Sequence, residues 1–493
     1  MKTSKKEKTH NSGTFNIPDG QEAFGQLHLN GRKTTLHLNI KRELSPFIDP
    51  ITVTGELGDR RKVSCLECIL GSTGSGYREN STAYYYAELL PHFIAIGNQH
   101  LNPSEKSITS IKFTTQDISS TFHDFGTFGH VTNSKSAIST LKSSGNFDKD
   151  ITLGEFPELF YYSGKSEVIS VQTRLGDFNV SHHPTFSLGG ANGKFIKNQM
   201  AVTIKFDQPI TFDDCIERTM SFHRFLSLIA GRQQSIRSIF LEIDKKHDES
   251  NSQLALHWMF APRQKKDTDN APHPGDIPLD AVGRPTEFSS VLRNWLDREP
   301  EWRMARVRYA GCLAKGNSYN INRLVAAANM FDILPDDATP PSSSLSPELA
   351  KAQNECREIF KKLPPGVERD SILGALGRIN KPSLTKKVLH RVSILNNEFT
   401  NQFPDLSTVA IIAIKARNFF VHGSLNGINY NDLEPLLPFL TDALEFIFAS
   451  SDLIEAGWDA KAWGNKHYGT NHSFTRFRWG YLAHLTHLKE TLS

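Results

Sequence analysis

The residues whose types and spacing can do chemistry are Arg417, Asn418 and His422, in the stretch Arg417-Asn418-Phe419-Phe420-Val421-His422-Gly423. A guanidinium stays charged and offers a planar fork of donors to phosphate oxygens. An imidazole moves protons near neutral pH. No acid cluster accompanies the pair, and the chemistry that suits it is metal-free cleavage of an RNA phosphodiester. There the ribose 2'-hydroxyl attacks the adjacent phosphate, protons must move, and a phosphorane with extra negative charge must be stabilised. His422 would be the general acid or base and Arg417 the phosphate stabiliser. Asn418 would orient the imidazole or a phosphate oxygen. Five positions apart, Arg417 and His422 lie roughly 140° apart around a helix, so one helix presents them imperfectly. Two copies about a twofold axis would converge on one cleft, which makes a homodimer the expected active form.

The element that must position these residues is helical. Asp405 and Ser407 have side chains able to cap free helix amides. Val409, Ile411, Ile412, Ala413, Ile414 and Ala416 follow, and Gly423 ends the run. A helix apolar on nearly every side is buried in a bundle or an interface. Arg417, Asn418 and His422 therefore interrupt a buried surface and need partners there. A purely structural reading competes: a capped core helix whose terminal His complements the helix dipole. The spacing alone is common in a chain with 19 His, and Arg32 to His37, Arg218 to His223 and Arg478 to His484 share it. Only Arg417 adds a following Asn, a long apolar helix and a terminating Gly.

Arg417 to His422 resembles the Arg-x(4–6)-His motif of HEPN-domain ribonucleases, in which a polar residue, often Asn, follows the Arg. A β-rich first half followed by a helical second half is similar to the ApeA type of bacterial anti-phage defence protein. The motif covers six residues and the helical pattern around it roughly 290–455. The resemblance implies metal-independent endoribonuclease activity, dimerisation through the HEPN helices, and growth arrest of an infected cell. It also implies RNA as partner, with tRNA a candidate target, and it assigns no cofactor.

At 493 residues the chain is too long for one ordinary core, so two or three domains are expected. Hydrophobic residues make up 38%, which suits a soluble globular protein, and the net charge of +3 means that RNA affinity must come from local patches. Five Cys, an odd number, argue against a disulfide framework and for a reducing, cytoplasmic compartment. No run of about 18 apolar residues exists to span a membrane. Residues 1–8 are charged without a following apolar region, so a tail is expected there and not a signal peptide.

The expected fold class is α+β and multidomain: a β-rich, sandwich or barrel-like N-terminal domain followed by an all-α bundle. The expected order is a disordered tail (1–20), the β-rich domain (21–261), a linker (262–287) and the helical domain (288–493). Residues 24–29 and 33–40 form a hairpin across Asn30-Gly31, with Leu36, Leu38 and Ile40 inward and His37 and Asn39 outward. Residues 51–57 and 62–70 form a second hairpin. Further strands are expected at 108–114, 168–173, 202–206 and 239–243, and a helix at 212–229 packs on the sheet. Helices follow at 289–296, 302–313, 319–331, 347–362, 369–379, 384–399 and 406–421. A last helical segment, 431–450, becomes regular near Pro438.

Two stretches carry the charge to hold RNA. Arg378, Lys381, Lys386, Lys387 and Arg391 lie in residues 371–395, which contain no acidic residue. Lys466, Arg476 and Arg478 interleave with Trp463, Tyr468, Phe474, Phe477, Trp479 and Tyr481. Cations track phosphates and rings stack on unpaired bases. A solvated face for the first and a terminal segment docked on the bundle for the second carry more weight. Cys65 and Cys68 have zinc-like spacing without a second pair, and strand alternation is expected to turn them to opposite faces. Gly71 to Gly76 lacks the Lys of a phosphate loop, with Tyr77 and Arg78 in its place, and is expected to be a flexible hairpin loop. His182-His183 is expected to be loop, and no metal site is expected. Two rival functions remain open: a non-catalytic RNA-binding or scaffold protein, and a module whose β domain recognises a carbohydrate or a phage-derived trigger while the bundle only dimerises.

Overall fold

The structure, a computed structural model, describes residues 9–492 except 19, 45, 78–82, 146–151, 188, 192, 245–252, 265–270, 342, 343, 424–431, 433, 467 and 468. Arg78, Asn431, Tyr468 and the first eight residues lie outside the described residues. The chain divides into two compact units. The first holds Met1–Leu226, Gln234–Gln264 and Asp280–Ser289, and the second Ser227–Gln233, Lys265–Leu279 and Ser290–Ser493. The expected linker is thus shared between the units, and Ile277, Leu279 and Ala281 within it are buried.

In the first unit, alternating apolar residues build strands that close on themselves. β1 (Thr9–Asn16), β2 (Glu22–Leu29), β3 (Thr35–Ile40), β4 (Ile51–Leu57), β5 (Lys62–Tyr77) and β6 (Ala83–Leu90) pair in the cyclic order β5-β4-β1-β2-β3-β6-β5, every pairing antiparallel. Closure gives each of the six strands two neighbours in the ring. Phe15, Leu27, Leu36, Leu38, Val53 and Leu89 fill the interior, while His37 and Asn39 face out, as alternation requires. Gly25 lies opposite Leu38, where a Cβ would come within 2.6 Å of the Leu38 side chain and of the His37 carbonyl. Two expectations fail here. Thr9–Asn16 is a barrel strand, not tail, because Phe15 and the β2 ladder give it a buried face. Gly71 to Gly76 continue β5 and pair with β6, since small residues leave room for Tyr84 and Tyr86 opposite.

Cys65 and Cys68 also depart from expectation, for both are buried. Glu67 sits at φ 50°, and the register slips between Ile51 and Val53, so a bulge turns both thiols inward. Burial pushes the Cys65 thiol up to about 12. From β5 the sheet continues open and antiparallel through Phe93–Gly97, Gln253–Trp258, Ile236–Ile243, Ile108–Thr115, Met200–Ile210, Gly176–His182 and Glu167–Thr173. His182 therefore ends a strand and is buried, with Nδ1 3.0 Å from the Asn198 amide oxygen. The helix Phe212–Ala230 lies on this sheet, Phe222 stacking on Phe178 at 5.4 Å.

The second unit is helical. Leu437–Glu455 runs through its centre, buried along nearly its whole length, and packs against Ile321–Asp332, Leu384–Phe399 and Leu406–His422. Ser473–Leu492 covers it through Phe477 and Tyr481. Pro347–Lys361 and Val367–Leu376 pack on each other and bury no residue. A buried charge network ties the central helix to its neighbours. Arg306 Nε and Nη2 donate to the two oxygens of Asp452 at 2.9 Å each, and the Trp295 indole donates at 2.8 Å. Arg306 Nη1 reaches Glu299 at 2.9 Å, and Arg391 grips Glu455 at 2.6 and 2.9 Å. Burial opposes ionisation of Asp452, but Arg306, Arg298 and Arg391 outweigh it and hold the carboxyl below the usual range. On the same helix Asp442 shows the reverse balance: burial and the neighbouring Glu445 carboxylate push it up to about 7, although Tyr319 donates to it at 2.8 and 2.9 Å.

Two stability effects follow. Asp452→Asn removes one of the two carboxylates that face the buried Arg306 guanidinium and leaves Glu299 as its remaining counterion, and denaturant titration should show the helical unit weakened by about 3 kcal/mol. In the wild type that contribution is complete above about pH 4, the ordinary Asp value, and fades as pH falls through the lowered folded value. Asp442 acts with the opposite sign. The folded chain keeps a proton that the unfolded chain has already lost, so stability declines as pH rises from about 4 through about 7. The melting temperature of Asp442→Asn should therefore exceed the wild type by a margin that widens between about pH 5 and about pH 8.

Candidate active site

Arg417, Asn418 and His422 occupy the last turns of Leu406–His422. This helix forms because its apolar residues bury Leu406, Val409, Ala410, Ile412, Ala413, Ile414 and Ala416, and it stops where Gly423 adopts φ 68°, its amide donating to the Phe419 carbonyl at 2.8 Å. The start differs from expectation. Asp405 stands at the N-cap with φ 58° and makes no capping bond with its side chain; its carboxylate instead takes the Lys489 ammonium at 2.6 Å. A left-handed backbone at that position aims the side chain away from the free amides.

Arg417 is nearly buried, with 15% of its side chain exposed. Its Nη1 donates to Asn418 Oδ1 at 3.0 Å and its Nη2 to Asn329 Oδ1 at 2.9 Å. Asp332 Oδ2 lies 3.8 Å from Nη2. Arg417 Nε is buried without a partner among the described residues. His422 is exposed, one turn beyond, at the end of the helix. The structure therefore gathers Arg417 and Asn418 with two residues absent from the sequence reading, Asn329 and Asp332, both from the end of Ile321–Asp332. A signal for Asn329 existed: it interrupts the buried run Leu324, Ala327, Ala328, Met330 and Phe331. Asn418 Oδ1 is taken up by the Arg417 guanidinium, a task other than the two anticipated for it, the imidazole and a phosphate oxygen.

The basic residues separate. Lys387 Nζ donates to the Asp332 carbonyl at 2.8 Å, beside the Arg417 partners, and Arg378, Lys381 and Lys386 are exposed. Arg391 is not available to RNA: it is fully buried, bonded to Glu455 and Ser451, with its guanidinium 5.0 Å from the centre of the Trp302 ring. The C-terminal stretch docks on the bundle. Trp463, Phe474, Phe477 and Tyr481 are buried. Arg478 donates to the Lys466 carbonyl at 3.3 Å and lies over Trp463, and Arg476 donates to the Asn471 carbonyl at 3.2 Å. These four rings pack in the core, the docked arrangement that carried more weight than a stacking platform, while Trp479 is 79% exposed. Among the described residues, no three His, Cys, Asp or Glu side chains are grouped to hold a metal ion, and no described helix is long and apolar enough to cross a membrane.

Comparison with known families supplies the wider context. The family described as ApeA N-terminal domain 1 matches residues 10–295, and the Apea-like HEPN family matches residues 325–462. The second match contains Asn329, Asp332, Lys387, Arg417, Asn418 and His422. No curated protein and no solved structure matches the chain. With an ApeA N-terminal domain across more than half of its length and an Apea-like HEPN domain carrying the Arg417 cluster, the chain belongs to the ApeA-like HEPN family of anti-phage defence nucleases.

Proposed function

We propose that this chain is a metal-independent endoribonuclease that cuts cellular RNA, tRNA being the leading substrate, when two HEPN units pair as a homodimer in the cytoplasm. The observation that carries the reading is Arg417: a guanidinium steadied by neighbouring side chains, with one N–H unpartnered among the described residues, at the helix end from which His422 emerges. In the reaction His422 takes the proton from the 2'-hydroxyl or returns one to the leaving 5'-oxygen, and the twofold-related His422 supplies the complementary transfer. Arg417 meets the charge that grows on the phosphorane oxygens. Asn418 keeps the guanidinium plane turned toward the cleft. Lys387, Lys386, Lys381 and Arg378 guide the phosphate backbone, because Lys387 abuts the residue next to Arg417 and the other three face solvent. The N-terminal unit receives a phage-derived trigger and restrains the nuclease until then.

The deciding assay incubates purified full-length protein with total cellular RNA in EDTA and maps the new ends. Discrete cuts bearing 2',3'-cyclic phosphate and 5'-hydroxyl ends are expected, reduced about a hundredfold or more by His422→Ala. Arg417→Lys should be similarly impaired, since a lysine cannot reproduce the planar fork. Undiminished cutting by His422→Ala would remove the proposed role of the histidine, and cutting abolished by EDTA would overturn metal independence. RNA bound but never cut, with or without infected-cell lysate, would favour a binding protein.

A further inference from the structure

Arg417 is held by two neutral acceptors from two different helices. Asn418 Oδ1 takes Nη1 at 3.0 Å from the same helix, and Asn329 Oδ1 takes Nη2 at 2.9 Å from Ile321–Asp332. The one carboxylate within 4 Å among the described residues, Asp332, stands further off at 3.8 Å with 42% of its side chain exposed, so water weakens its pull. Asn329 is a half-buried polar residue beside buried Ala328 and Met330, and Arg417 is what it bonds. An amide oxygen and a carboxylate oxygen accept the same N–H, but they differ in what they leave behind. The carboxylate cancels the cation; the amide aligns the guanidinium and leaves its charge for an incoming anion. A tie that served packing alone would be at least as strong with Asp at this place.

We infer that Asn329 is a positioning residue whose neutrality matters: with Asn418 it clamps the Arg417 guanidinium in a fixed plane while preserving its full positive charge for the scissile phosphate of RNA. The inference rests on the nuclease reading of Arg417 and His422, and names the part of the HEPN unit, beyond the motif helix, on which that reading depends. The clamp also explains why the motif helix has to pack against Ile321–Asp332. Without Asn329, Arg417 keeps one firm acceptor, on its own helix, and the guanidinium plane is free to turn.

The test compares full-length wild type, Asn329→Asp, Asn329→Ala and Arg417→Ala. Three quantities are read for each: cleavage of RNA, affinity for a 2'-O-methyl RNA oligonucleotide that cannot be cut, and melting temperature. Asn329→Asp keeps the shape and the hydrogen bond, so its melting temperature should equal or exceed the wild type. Its cleavage rate and its affinity for the 2'-O-methyl RNA should nonetheless each fall by about tenfold or more, toward Arg417→Ala. Wild-type cleavage and binding in Asn329→Asp would overturn the proposal, because a packing role tolerates that change and a charge-preserving role does not. Should wild type neither cut nor bind RNA, the nuclease reading fails separately. Crystal structures of wild type and Asn329→Ala then decide the clamp: an Arg417 side chain that has left its position upholds the positioning role, and one that has not moved refutes it.

Discussion

A carboxylate sealed inside a helical bundle must be surrounded by donors or it does not stay ionised, and Asp452 imposes that constraint on the second unit. Arg306 of the helix Glu299–Leu313 and Trp295 of the helix Pro285–Asp297 close on it, and Arg298 joins them at 3.1 Å. One turn on, Glu455 draws in Arg391 from Leu384–Phe399, and Arg298 and Arg391 both lie over the Trp302 ring. Four helices are thereby fixed in rotation as well as in position, which apolar packing alone specifies less sharply. The central helix, held in this way, presents its remaining faces to Ile321–Asp332 and Leu406–His422. The meeting of Arg417 with Asn329 is a consequence of that arrangement.

Charge is handled in opposite ways at the two places. In the core each guanidinium is matched to a carboxylate: Arg306 to Asp452 and Glu299, Arg323 to Glu445, Arg391 to Glu455. Those cations are spent on the fold, and none has a free face for a ligand. At the end of the motif helix the close acceptors among the described residues are amides, and the nearest carboxylate among them stands 3.8 Å away. The contrast separates a structural arginine from one fit for phosphate more clearly than burial does, since Arg417 is itself largely buried. It also accounts for Arg391, which composition places in a basic stretch and the network removes from the surface.

The first unit solves a different problem. Six antiparallel strands close into a ring, so each finds two neighbours for its backbone donors and acceptors. β5 makes closure possible. Its first half pairs with β4 and Phe93–Gly97, its second half with β6, and Glu67 at φ 50° absorbs the change of direction between them. The ring encloses Cys65 and Cys68 in its apolar interior, where they serve as small core residues.

What the sequence determined by itself was whatever depends on neighbours along the chain. Period-two alternation in Leu36, Leu38 and Ile40 sets the inner face of β3, and the apolar run from Val409 to Ala416 sets the motif helix and its stop at Gly423. The motif residues Arg417, Asn418 and His422 were legible for the same reason, being close together on one element. Tertiary structure alone decided everything that joins distant segments. Thr9–Asn16 has little pattern of its own and becomes a strand because β2 and β4 flank it. The rings from Trp463 to Tyr481 fit either a stacking surface or a docked segment by sequence, and the bundle decides for docking by burying Trp463, Phe474, Phe477 and Tyr481. Asn329 precedes Arg417 by 88 positions and meets it only because the central helix brings their two helices together. Hydrogen bonds and ion pairs act over a few ångströms of space whatever the separation in sequence, so the pairing of Arg417 with Asn329 was decided only by the folded chain.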